Sequence, residues 1–273
     1  MKKIILFLLS INFLWAFPPD AAYFNELLSD NGKVIKNTLK VKKIDGGNYS
    51  AYFDGEITLT GVLERTDNSD VDIIYSALRF YPDNNIDLPF LFSIYSDNME
   101  DYKEFERLEF GVLLENIEVK LPEPLNKRFL GAAAVRAEVT IRNYSIFCEG
   151  EAGREAYGDI VGFKALGDVE TEYFTKNNYN EGDAYYSKLE YNSKDDYVNI
   201  RDKANGKIIG KILKNDMINN GGLLLEADVH GKFSDWEKNW IEVYYMPPNA
   251  KDGKDAIYGF VHGSQIKIGN QGY

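Results

Sequence analysis

Thiol and imidazole are nearly missing from this chain: 273 residues hold one cysteine, Cys148, and two histidines, His230 and His262. A single thiol excludes an intramolecular disulfide, so the fold must rest on buried apolar surface. Two imidazoles and one thiol do not make a usual zinc set. His230 with nearby Asp228 and Asp235 is at most a weak cation site, and neither a metal nor a cofactor is expected. A cysteine peptidase would need its thiol at a helix start beside a histidine. Cys148 instead ends the long β-patterned run Gly131–Cys148 and reads as a small buried hydrophobe. Phosphate-cradling Gly-Lys loops and dinucleotide fingerprints are also missing. Carboxylates are so numerous that no pair stands out as an acid–base couple. Asp67, Ser69, Asp70 and Asp72 lack the glycine and closing glutamate of a calcium loop.

Long apolar runs are scarce as well. The longest, Ile4–Trp15, follows Lys2 and Lys3 and is interrupted by Ser10 and Asn12. It falls short of the ~18–20 residues that cross a bilayer. The layout is that of a secretory signal peptide, residues 1–16, with cleavage expected after Ala16 although Leu14 stands where a small residue is preferred. The alternative is an uncleaved anchor. The expected location is periplasmic or secreted, with no stable membrane insertion once the signal is removed.

What the chain has in abundance is acid and aromatic rings. The net charge is −12, and residues 17–193 carry 18 basic against 32 acidic side chains, whereas residues 194–273 are balanced at 11 of each. An acidic front region repels nucleic acid and suits either a solvated surface or a basic partner.

The pattern is mainly β. Residues 17–164 are expected to form an acidic β-rich domain, a barrel or sandwich with one or two helices. Asp20–Leu28 and Asp97–Phe110 carry helical spacing. Tyr49–Phe53, Glu56–Leu63, Ile73–Tyr81, Val112–Leu121 and Ile160–Phe163 read as strands. The strongest strand is Gly131–Cys148, with Ala133, Val135, Ala137, Val139 and Ile141 on one face and Arg136, Glu138, Thr140 and Arg142 on the other. Residues 165–193, rich in turn residues and tyrosines, are expected to link the two domains.

The C-terminal stretch carries three ordered motifs. Asn199-Ile-Arg201 leads through Gly206 to Ile209, Gly210 and Ile212, with Lys214-Asn-Asp216 as a polar turn. Asn239-Trp-Ile-Glu-Val-Tyr244 follows, and Gly259-Phe-Val-His-Gly-Ser-Gln-Ile-Lys267 closes the series. Together they resemble a bacterial SH3 domain over about residues 194–269, which implies a small SH3-like barrel and recognition of cell-wall material or peptides. Five short strands with polar turns must close on themselves for the same physical reason: a small open sheet leaves reactive edges. Trp240, Val243, Phe260 and Ile266 are expected inside. Leu223–Leu225 fits as a strand, and Tyr244–Asp255 is a longer excursion than the resemblance requires.

The resemblance brings no catalytic residue. Tyr197, Trp236 and Tyr245 are the candidate ligand-binding aromatics, the other reading being that they staple the core. The function expected first is non-catalytic binding of a cell-wall component, peptide or envelope protein. The alternatives are a periplasmic immunity or inhibitor protein that binds a basic effector, and an accessory cell-wall hydrolase.

Overall fold

The computed structural model describes residues 39–45, 50–66, 77–83, 88, 111–148, 154–178, 187–230 and 232–269. The expected helices at 20–28 and 97–110 and the turn at 67–70 lie outside them. The described chain is mainly β, in several sheets, with one short α-helix. No helix among the described residues is long and apolar enough to cross a membrane.

Two compact units divide the chain: residues 1–63, 78–120 and 135–168 form the first, and residues 64–77, 121–134 and 169–273 the second. The first holds β1 (Lys40–Asp45), β2 (Ser50–Asp54), β5 (Val112–Ile117), β7 (Arg154–Ala165) and most of β3 (Glu56–Thr66), β4 (Ala77–Pro82) and β6 (Gly131–Cys148), the first four residues of β6 belonging to the second. The strand order is β1-β2-β6-β3-β4-β5-β7, and β6 also pairs with β7, so β3, β4, β5, β7 and β6 close a ring. β5 and β7 run parallel; β6 and β7 run antiparallel. Around the ring the strands follow the order first, second, third, fifth, fourth, a Greek-key closure that leaves none of the five with a free edge.

β6 spans the stretch its alternation predicts. Ala133, Val135, Ala137, Val139 and Ile141 are buried, and the interleaved charged and hydroxyl side chains face water. The alternation then breaks. Asn143 takes a positive φ of 54°, the register with β7 slips between Arg142 and Ser145, and Tyr144, Ser145 and Ile146 are all buried. An asparagine tolerates that left-handed conformation better than most side chains. Its amide donates to Asp159 Oδ2 at 2.7 Å while Asn116 donates to Asp159 Oδ1 at 2.6 Å, which satisfies a buried carboxylate.

The second unit begins where the first four residues of β6 pair with β8 (Glu170–Tyr173). It continues with β9 (Leu189–Tyr191), β10 (Tyr197–Arg201), β11 (Ile208–Leu213), α1 (Lys214–Ile218), β12 (Leu223–His230), β13 (Trp240–Met246), β14 (Ile257–His262) and β15 (Ile266–Ile268). The sheet order is β11-β10-β14-β13-β12, and β15 pairs with β9 in a second sheet. An isolated bridge from Lys188 to Leu225 ties β9 to β12, and a 3-10 turn at Gly263–Gln265 leads β14 into β15. The segment expected as a linker thus supplies β8 and β9.

Leu189, Val198, Ile200, Ile212, Leu224, Ile241, Val243, Tyr245, Val261 and Ile266 fill the interior of this meander. Strand parity corrects two of the residues expected inside. Because Ile241, Val243 and Val261 point in, Trp240 and Phe260 point to the opposite face, where each is half-buried. There Trp240 meets His262 edge-on at 5.3 Å, and Phe260 lies 5.3 Å from His230. That second face has its own apolar cluster of Leu223, Leu225, Ala227, Tyr244 and Met246, and Leu130 covers it. β13 is therefore apolar on both sides, unlike a strand with one wet face.

Candidate ligand-binding surface of the second unit

The hairpin of β10 and β11 projects Val198, Ile200 and Ile212 into the core, and its other face is open. Its tip is pre-formed. The Asp202 N–H donates to the Lys207 carbonyl at 3.0 Å, the Asp202 carboxylate accepts from the Lys207 N–H at 2.8 Å, and Asn205 turns the corner at a φ of 57°. The Arg201 guanidinium donates to the Gly206 carbonyl at 2.6 Å, locking the turn from beneath.

Five of the eight exposed large hydrophobic side chains among the described residues fall on this short stretch: Tyr197, Ile208, Ile209, Leu213 and Ile218. Ile218, on α1, is 61% exposed. Tyr197 and Leu213 are direct cross-strand partners, and the Lys211 ammonium lies 4.1 Å from the centre of the Tyr197 ring. Single exposed apolar residues are ordinary, but a group of them on one face suits an interaction site, and Tyr197, Ile209 and Leu213 share the outer face of this hairpin. The strip is also basic, since Lys207, Lys211 and Lys214 are all exposed along it.

The three aromatics singled out from the sequence do not converge. Tyr197 presents its ring to solvent at 42% exposure. Trp236 sits in the 3-10 segment Phe233–Lys238, half-buried against the core, and its indole N–H donates to the Ile266 carbonyl at 3.0 Å. Tyr245 lies in the apolar core with 2% exposure, and burial with Asp216 beside it pushes its phenol up to about 12. Sequence reasoning missed Ile208, Ile209, Lys211, Leu213 and Ile218. The available signal was Lys207-Ile-Ile-Gly-Lys-Ile-Leu-Lys214, apolar on both strand faces where a barrel wall requires only one.

A second constellation lies on the outer face of β12, β13 and β14. Glu242 is 6% exposed, and one carboxylate oxygen accepts from Arg128 at 2.6 Å and from the Tyr258 hydroxyl. The other oxygen meets His230 Nε2. The Arg128 guanidinium stacks 4.9 Å from the Tyr258 ring centre. The ligand-type atoms of Asp228, His230 and Glu242 lie within 4.8 Å of one another. Of the two acids considered with His230, Asp228 is thus adjacent, whereas Asp235 pairs with Lys238 at 3.2 Å. A cation held there would face the Arg128 guanidinium across the shared carboxylate, an unfavourable like-charge approach. The arrangement joins strands; it presents no nucleophile paired with a base.

Next to this cluster, burial and the Asp228 charge raise the Glu226 carboxyl to about 7 from an ordinary 4.5. A carboxyl whose folded value is raised contributes its stability in the protonated state. That contribution is complete below about pH 4.5 and is lost as pH climbs through 7. Glu226→Gln is therefore expected to stabilise the protein at pH 8 by roughly 1–2 kcal/mol, partial exposure keeping the value low, and to change little at pH 4.5. Denaturant melts of both proteins from pH 4.5 to 8 check this; parallel profiles would refute it.

No family model, curated protein or solved structure matches the chain.

Proposed function

We propose that this is an exported protein of the cell envelope, periplasmic or secreted, which binds a cell-wall component or peptide through an SH3-like C-terminal module and performs no catalysis of its own. The observation that carries the reading is the exposed apolar and basic strip on β10, β11 and α1, mounted on a small five-stranded sheet with a pre-formed hairpin tip. Further support comes from where the three sequence motifs fall. They lie on β10, β11 and α1, on β13, and on β14 with the 3-10 turn and β15 that follow it, elements that contribute side chains to one apolar core. Tyr197 supplies the accessible ring of the surface. Trp236 and Tyr245 maintain the barrel behind it.

The test is retention of the whole mature chain on purified cell wall and on detergent-extracted envelope proteins, compared with Ile209→Asp and Ile218→Asp. Both positions are well exposed, at 49% and 61%, so each variant is expected to keep its stability within about 0.5 kcal/mol of wild type. Each is also expected to lose retention at least tenfold. Wild-type chain retained by neither material overturns the reading, as does retention unaffected by both variants.

A further inference from the structure

β11 is the last strand in its sheet, paired on one side by β10 and by no other strand among the described residues. A strand edge of this kind is usually shortened, bulged or shielded, because its free N–H and C=O row will pair with any extended chain. Lysines on an edge are the common safeguard. Here the charges alternate with apolar groups rather than blanket the edge. Ile209, Lys211 and Leu213 share one side of the strand, with Tyr197 beside Leu213 on β10; Ile208 and Gly210 are on the other.

We infer that β11 is a receptor for one added β-strand, contributed by an extended acidic segment of an envelope protein. This rests on the binding reading above and names its ligand and geometry. The side-chain period of two fixes the complement. A strand laid beside β11 places residues i, i+2 and i+4 next to Ile209, Lys211 and Leu213, so the recognised pattern is apolar, acidic, apolar with a free residue between each. Backbone pairing supplies sequence-independent affinity, and the Lys211 ammonium selects the central carboxylate.

Charge argues against the competing occupant, a second copy of the same edge. Two β11 strands paired across a twofold axis would bring the lysine rows at 207, 211 and 214 together, and opposed like charges destabilise strand pairs. The balanced charge of residues 194–273 leaves this strip as a local basic feature rather than part of a wholly basic module.

The experiment is a fluorescence-anisotropy titration of the whole mature chain with two labelled peptides, Ser-Val-Thr-Glu-Thr-Val-Ser and Ser-Val-Thr-Lys-Thr-Val-Ser. The acidic peptide is expected to bind at least tenfold tighter, and raising salt is expected to narrow the gap. Lys211→Glu should reverse the preference, a result that a merely destabilised variant cannot give. Lys211→Gln, which keeps the stem but removes the charge, should bind the two peptides equally. Equal affinity of the wild type for both peptides overturns the inference. So does a preference unmoved by Lys211→Glu, or binding of neither peptide. If the chain is still retained on cell wall through Ile209 while both peptides fail, the binding reading survives and the added-strand inference falls. If retention fails as well, both fall.

Discussion

Glu242→Leu lowers the stability of the second unit by about 3–5 kcal/mol, read as a large fall in its urea midpoint. The cost comes from what is left behind. Glu242 is 6% exposed, and its partner Arg128 has a side chain only 19% exposed, held at 2.6 Å and stacked on Tyr258. Remove the carboxylate and a guanidinium stays in a poorly solvated place without its counter-charge. The desolvation penalty of both ions was already incurred on folding, so the pair itself contributes far less than its loss costs. The double variant Arg128→Met with Glu242→Leu is accordingly expected to recover most of the stability. A single-variant loss under about 1 kcal/mol would mean that the pair is well hydrated and that the outer face of β13 is not the dry surface described here.

Gly263→Ala is expected to cost about 3 kcal/mol or more and to separate β15 from β9. A Cβ at position 263 would lie 2.0 Å from the Trp236 carbonyl oxygen and 2.9 Å from its carbon. Both atoms are backbone, so no side-chain rotation relieves the overlap. The glycine opens the 3-10 turn that delivers Ile266 to the core, and its own N–H donates to Asn239 at 2.9 Å. Trp236 must shift if the turn is to survive, and with it goes the indole bond to Ile266. The expected signature is a lowered melting midpoint together with faster amide exchange at 189–191 and 266–268. Gly167→Ala is the control, since a Cβ there meets nothing within 4 Å. Its stability is expected to stay within about 0.5 kcal/mol of wild type. Equal behaviour of the two variants would contradict the close approach of the turn to Trp236.

Much of this fold could be read from local alternation. β6 is the clearest case: nine residues of in–out order from Ala133 to Ile141 give its buried face. β2, β3 and the β13–β14 pair were equally visible. The Asn143 bulge was not, because the sequence signals only a residue that tolerates a positive φ, and the register slip depends on how β7 pairs. Trp240 and Phe260 are expected inside from the sequence, yet both face the other way. Their parity is set by Ile241 and Val261, and the resemblance fixed the strand without fixing the pleat.

The dry outer face of β13 was hidden for another reason. It exists because Leu130 and Arg128, more than a hundred residues earlier, lie on it, and no periodicity records a contact at that separation. The same logic explains the site residues. Tyr197 was found because aromatic rings draw attention. Ile209, Lys211, Leu213 and Ile218 carry no such flag, because their exposure depends on β11 having no strand beyond it among the described residues and on where α1 lies.

The most direct test of the proposed binding is amide hydrogen exchange on the whole chain, with and without purified cell wall or envelope extract. Slowed exchange concentrated on residues 208–213, with smaller effects at 197–201 and 214–218, is the expected result, because a docked ligand must cover that strip. Protection confined to other strands, with 208–213 exchanging as fast as in the free protein, would contradict it.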